Sequence, residues 1–368
     1  MLIFSGQTDT LEAMRNTNGF GERTLESLFE QTSVSVLSDR DRMVVFSDLH
    51  MGDGGNRDDF LTNSNLFLHA IGDYYLPRAD TLILNGDIEE LQRFRLRDIL
   101  RRWELVYDLF NRFESAGRLK RLIGNHDMSL AYTTDHDFTV LNALRFEYKG
   151  NTLFIFHGHQ TVRAFERYNR LVELGLRYVA NPLGIGNYSV AYSNAKRFRS
   201  EMRAYGFAAA NRLVAVMGHT HRPLFESMSK VDSLKFEIER LCRIYPDLAA
   251  GDRERVEHSI RSHKDELTRI RQQDDRRAAT ASLYNSSFLV PCTFNSGTVI
   301  GHRGMTCLEI GDGRIALVHW FDETRSQKYL EYADYETEPL TGTPFHRVVL
   351  KSERLDYIFT RVRLLAGS

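Results

Sequence analysis

The chain is predicted to be an α/β protein whose strands are mostly parallel. Two patterns carry that expectation. Short apolar runs at Met43–Phe46, Thr81–Leu84, Leu119–Ile123, Leu153–Phe156 and Val214–Met217 are rich in Val, Ile, Leu or Phe and mostly unbroken. Runs without polar alternation are expected where both faces of a strand are covered, as in sheets flanked by helices. Between the runs lie longer segments of helical spacing, such as Trp103 to Phe113, where Leu105, Val106, Leu109, Phe110 and Phe113 recur. Strands alternating with helices imply crossover connections, and crossovers make neighbouring strands parallel.

Each apolar run is followed by residues able to hold a metal. The five fragments are Asp48-Leu-His50, Gly86-Asp87, Gly124-Asn125-His126-Asp127, His157-Gly-His159 and Gly218-His219-Thr-His221. Ligands of open α/β sheets collect outside the carboxyl ends of the strands, so the fold would gather these fragments into one place. Taken singly, Gly-Asp or Gly-Asn is an ordinary turn pair. Five fragments at the same structural position do not share that plainer explanation.

Composition fits a soluble enzyme. At 368 residues, 42% hydrophobic and 26% charged, the chain can bury a substantial core in one large domain with insertions. A formal net charge of -1 offers no global attraction to nucleic acid or to an acidic membrane surface. The three cysteines, Cys242, Cys292 and Cys307, lack metal-binding spacing and fit a reducing compartment. Met1 to Phe4 is too short for a signal peptide and no run is long enough to span a bilayer, so a cytoplasmic location is expected.

The candidate metal ligands are Asp48, His50, Asp87, Asn125, His157, His219 and His221. Carboxylates supply hard anionic oxygens, neutral imidazole a borderline nitrogen, and Asn a carbonyl oxygen. Seven such groups are too many for a closed tetrahedral zinc site and include no thiolate, which argues against a structural zinc. Mixed nitrogen and oxygen donors suit manganese, iron or zinc in two adjacent sites, with manganese the first expectation. A metal pair roughly 3.5–4 Å apart clamps a phosphoryl group and binds the attacking hydroxide. An aspartate is the natural bridge between two such ions.

The ordered set D-x-H, G-D, G-N-H-D, H-G and G-H-x-H resembles the calcineurin-like metallophosphoesterase superfamily. The resemblance spans Asp48 to His221, with an apparent sheet continuation at Phe294-Asn-Ser-Gly-Thr298. It implies two stacked mixed β-sheets flanked by helices, a four-layer sandwich that periodicity alone does not establish. It also implies that Asp48, His50, Asp87 and His221 hold one ion. Asp87, Asn125, His157 and His219 would hold the other, with Asp87 bridging. The reaction so implied is in-line attack on a phosphoester by a metal-bound hydroxide.

His126 is the expected general acid, because it follows a ligand and is free to face the substrate. Protonating a departing oxygen contributes roughly 10²–10⁴-fold in rate. The superfamily pairs this histidine with a carboxylate three residues after the bridging aspartate, which falls on Glu90; Asp127 is a competing partner. Retention of His126 argues against a metal-bound binding or scaffold protein without turnover, since binding alone needs no acid.

On the substrate side the candidates are Arg57, Arg93 and His159. Arg57 lies in the loop Gly52 to Asp59, and a solvent-exposed turn is its plainer reading. Arg93 belongs to a run with Arg95, Arg97, Arg101 and Arg102 that suits bidentate phosphate binding or, equally, a charged helix face. A second basic cluster, Lys196, Arg197, Arg199 and Arg203, lies in an aromatic-rich stretch (161–211) that reads as a helical cap over the site.

Residues 229–283 read as a helical-hairpin insertion into a catalytic domain formed by 1–228 and 284–368. Leu234, Ile238, Leu241 and Tyr245 make one apolar face and Val256, Ile260, Leu267 and Ile270 another, with the break at Pro246 to Gly251. A lid, an arm for a homo-oligomer, a docking surface and a plain structural hairpin are all compatible with it. Asp48-Leu-His50, Gly86-Asp-Ile-Glu-Glu90 and His157-Gly-His159 bring the chain near the bacterial UDP-2,3-diacylglucosamine pyrophosphatase branch, which acts in lipid A synthesis. His126 stands where that branch usually carries arginine, a pattern closer to generic phosphomonoesterases and phosphodiesterases. A phosphorylated small molecule or nucleotide is the expected substrate; nucleic acid is less favoured because the charge balance advertises no continuous basic groove.

Overall fold

The structure, a computed structural model, describes residues 24–133, 136, 138–161, 194–227, 234–235, 237–239, 241–242, 245–248, 250–275, 290–331 and 335–366. In chain order its strands are β1 (Val34–Val36), β2 (Met43–Phe46), β3 (Thr81–Asn85), β4 (Leu119–Leu122), β5 (Val140–Leu141), β6 (Ala143–Tyr148) and β7 (Asn151–Phe156). They continue with β8 (Val214–Met217), β9 (Thr293–Asn295), β10 (Met305–Gly311), β11 (Arg314–Asp322), β12 (Thr337–Pro339) and β13 (Phe345–Arg354). An eight-stranded sheet has the order β12-β13-β11-β10-β2-β3-β4-β5, and a five-stranded sheet the order β1-β6-β7-β8-β9. In the larger sheet β2 to β5 are parallel, and an antiparallel set of β10 to β13 joins them along β2. In the smaller, β7, β8 and β9 are parallel while β6 runs against β7.

The apolar runs therefore form strands of two mixed sheets, as the resemblance implies, where periodicity alone suggested one largely parallel sheet. The physical reason is visible in β2. Met43 and Val45 join a core shared with Phe154, Ile155 and Val216 of the second sheet, whereas Val44 and Phe46 pack with Phe67, Val106 and Phe110 from helices. A strand with a core on each side is apolar throughout, whichever sheet it belongs to. The pattern reports coverage and is silent about sheet membership.

The helix Glu104–Ser115 shows how a connection places a site strand. Its buried stripe is Val106, Tyr107, Phe110 and Phe113. Leu105, expected on that stripe, is 68% exposed, because Val106, Phe110 and Phe113 already complete the i, i+4, i+7 face. The helix ends in a Schellman motif: Gly117 N–H donates to Glu114 O at 2.8 Å and Arg118 N–H to Phe113 O at 2.8 Å. Gly117 adopts φ 70°, a left-handed conformation that glycine takes without strain, and the chain turns directly into β4.

Of the stretch read as a cap, residues 162–193 lie outside the described residues. The helix Asn194–Ala210 is described, and Ala204, Phe207 and Ala208 from it are part of the shared core. Within the insertion, Ala250–Asp275 is one long helix, while Leu234 and Leu241 are buried. The segment read as an insertion pairs with β13 through Glu237–Lys351 (2.5 Å) and with the short helix Lys328–Glu331 through Glu266–Lys328 (2.9 Å). No helix among the described residues is long and apolar enough to cross a membrane.

Candidate metal centre

The five fragments leave the ends of β2, β3, β4, β7 and β8 and meet where the two sheets face each other. Several of the expected ligands have left-handed backbone: Asp48 (φ 56°), His50 (48°), Asp87 (54°), His219 (66°) and His221 (55°). Such a conformation costs a non-glycine residue roughly 1–3 kcal/mol and persists only where the surroundings over-determine it. Here the loops after β2 and β3 are laced together: Asp48, His50 and Met51 N–H donate to Gly86, Asp87 and Ile88 carbonyls at 3.1, 3.0 and 2.9 Å. Gly124 is required by proximity, since a Cβ there would lie 2.1 Å from Asp87 Oδ1.

One cluster is formed by Asp48, His50 and His221, whose ligand atoms lie within 4.8 Å of one another. His221 Nε2 is 3.1 Å from Asp48 Oδ1 and 3.1 Å from His50 Nε2. A second is formed by Asp87, His157 and His219, again within 4.8 Å. Asp87 Oδ2 lies 3.1 Å from His157 Nε2 and 4.0 Å from His50 Nε2, so one carboxylate oxygen faces both clusters. The other oxygen, Oδ1, accepts from His126 N–H at 2.8 Å.

The donor set fits divalent ions on an observation independent of motif. Asp48 Oδ1, Asn125 Oδ1, His157 Nε2 and His219 Nε2 are buried atoms with no hydrogen-bond partner. Buried polar atoms are mostly satisfied, and four of those left without a hydrogen bond among the described residues fall on expected ligands, alongside others away from the two clusters such as Asp80 Oδ2, Glu89 Oε2 and Arg121 Nε. Their orientation is set from behind. His157 Nδ1 donates to Asn85 O (2.6 Å), and His50 Nδ1 bonds Glu90 Oε2 (2.9 Å), leaving each Nε2 for a cation. Burial, with His157 nearby, pushes the His219 pKa down to about 3, whereas at His157 burial is outweighed by the Asp87 carboxylate, which raises the pKa to about 10.

Glu90 holds two histidines at once. Its Oε1 accepts from His126 Nδ1 at 2.8 Å while Oε2 engages His50. Burial disfavours a charged His126, yet the carboxylates of Glu90 and Asp87 hold its pKa up, at about 9. Asp127 does not compete for this histidine. Its oxygens accept from Gly124 N–H (2.6 Å) and Ile88 N–H (2.7 Å), which binds the β4 loop to the β3 loop.

The substrate-side candidates scatter. His159 is buried with its ring 5.7 Å from that of His157, and burial with His157 and His219 nearby pushes its pKa well down. Arg93 reaches Asp59 (2.7 Å) and approaches Glu90 (3.6 Å) at the edge of the cluster. Arg57 is exposed. Sequence reasoning missed the groups that brace the ligands across elements: Asn85, Glu201, Thr220 and Asn295. Asn85 Nδ2, at the end of β3, donates to Phe156 O (3.1 Å) at the end of β7 and so ties the two sheets beside the candidate ligands. The available signal was an amide closing an apolar strand, which in isolation is a common strand end.

Comparison with known proteins accords with this geometry. Residues 42–223 match the family model described as calcineurin-like phosphoesterase. The match supports the superfamily and a metal-dependent phosphoester hydrolase. It encloses all seven expected ligands, from Asp48 to His221. No curated protein matches the chain. A solved structure of a dimetal phosphatase from Danio rerio is similar over 76% of this chain and 96% of its own, at 10% identity and a TM-score of 0.33. A likeness that loose carries no argument.

Proposed function

We propose that this protein is a two-metal phosphoester hydrolase in which His126 protonates the leaving oxygen. The observation that carries the reading is the pair of clusters meeting at Asp87 Oδ2, with unpartnered buried atoms on the ligand residues. Asp48, His50, Asp87 and His221 would hold one ion and Asp87, Asn125, His157 and His219 the other, Asp87 bridging. Bound there, divalent ions, manganese first, would neutralise phosphoryl oxygens and activate water for attack.

The chain's own groups supply the rest. Glu90 accepts from Nδ1 of His126, stabilises its cation and leaves Nε2–H as the proton donor to the leaving oxygen. The Asp87 carboxylate binds His126 N–H, so the acid is held on the same group that joins the clusters. Arg93 and His159 are the substrate-side groups in this reading, and the expected compartment is the cytoplasm.

Hydrolysis of a chromogenic phosphomonoester and phosphodiester by manganese-loaded protein, beside a UDP-linked diacylglucosamine, tests this. Monoester preference assigns a phosphatase, diester preference a phosphodiesterase, and turnover of the lipid-linked diphosphate the lipid A branch. Two ions bound with no turnover of any of them would sink the hydrolase reading.

A further inference from the structure

Glu201 is an acid on the inward stripe of a core helix. Phe198, Ala204 and Ala208, at i−3, i+3 and i+7, are buried, and Glu201 itself is 1% exposed. A buried carboxylate is retained only where it is paired and hydrogen-bonded. Its partners are the residues that surround the last metal ligand. Oε1 accepts from the Thr220 hydroxyl (2.9 Å) and from Arg222 Nε (3.1 Å), and Arg222 closes a second bond onto Oε2.

Thr220 is fully buried and sits between His219 and His221. While its hydroxyl donates to Glu201, it accepts from Asn295 Nδ2 at 3.0 Å, and the same amide donates to Gly218 O at 2.8 Å. Both flanking histidines have positive φ, a conformation that the turn must hold against local preference. The bonds run in one direction, Asn295 to Thr220 to Glu201, and clamp the turn between the end of β9 and the helix Asn194–Ala210.

We propose that Glu201 is a positioning residue for both metal sites, acting through Thr220 on His219 and His221. The inference rests on the two-metal reading above, in which those histidines serve different ions. One polar chain therefore sets the approach of a ligand to each ion. It also couples the helix that follows residues 162–193 to the metal centre without touching the metals.

The test is titration of Mn²⁺ into metal-free, full-length protein, followed calorimetrically, for the native chain and for Thr220→Val and Glu201→Gln. Loss of a group that orients a ligand lowers metal affinity by roughly 10–100-fold. That loss is expected for both ions in each variant, with the double variant little worse than Glu201→Gln because the groups form one chain. The d–d absorption of the Co²⁺-loaded variants should change, and saturating Mn²⁺ should restore most of kcat, which general destabilisation would not allow. If Thr220→Val fails to fold, Glu201→Gln carries the test alone, since it preserves the side-chain shape. Native affinity for both ions in the folded variants would overturn the positioning role and leave the hydrolase reading standing. A native protein that binds no Mn²⁺ would overturn that reading, and this inference with it.

Discussion

The two sheets contribute to the candidate metal centre in different ways. The larger supplies Asp48, His50, Asp87, Asn125 and His126 from consecutive parallel strands, and their bracing groups lie close by in the chain. Glu90 is three residues from Asp87 and holds both His50 and His126, while Asp127 binds the neighbouring loop. The smaller sheet supplies His157, His219 and His221, and their bracing comes from afar. His157 is oriented by the Asn85 carbonyl of the other sheet, and the 218–221 turn by Glu201 and Asn295. The first half is largely assembled by its own motifs. The second is held in place only once the sheets and the helix have packed.

Asp87→Ala removes the group that both halves share. It should abolish binding of two ions together with activity; metal analysis that still finds two ions per chain would end its bridging role.

Next in size, His126→Ala should lower kcat by roughly 10²–10⁴-fold with both ions retained, most severely on substrates with basic leaving groups. An unaltered rate would remove the larger-sheet half from proton transfer.

Glu90→Gln probes how self-contained that half is. In metal-free protein, NMR should find His126 titrating near pH 9 in the native chain and lower in the variant, since burial then outweighs the lost carboxylate. The sign follows from linkage. The folded value of about 9 exceeds the ordinary 6.5, so the pair's stabilisation is full below pH 6.5 and disappears as the pH rises through about 9. The variant should lose that component. Affinity should fall roughly 10–100-fold at the ion held by His50, with the ion held by His157 less affected. Equal loss at both would mean that the halves are not separable.

The smallest catalytic effect is expected for Asn85→Ala. Its side chain braces Phe156 O, but His157 is oriented by its backbone carbonyl, which the substitution keeps. Denaturant unfolding should show a loss of roughly 1–3 kcal/mol from the unsatisfied buried carbonyl, with metal affinity little changed. A large loss of affinity would show that the tie between sheets sets the ligands directly.

The apolar runs and the ligand fragments were legible because each is local. A strand covered on both faces must be apolar, and a ligand must be Asp, His or Asn, whatever surrounds it. Glu90 was legible only by resemblance, since three-residue spacing after Asp87 says nothing of where a carboxylate points. Leu105 was misplaced because a helical stripe is wider in sequence than the face that packing buries. Glu201 and Asn295 were invisible as braces: an acid in a charged helix and an amide at a strand end are ordinary until something buries them.

By itself, then, the sequence determined which residues end the strands and that their donors suit hard or borderline divalent ions, because side-chain chemistry and local periodicity are properties of short segments. Tertiary structure alone decided that the donors divide between two sheets, that Glu90 takes two histidines, and that Glu201 meets Thr220. Those facts depend on the register of packed layers, where groups separated by tens or hundreds of residues come within hydrogen-bond distance.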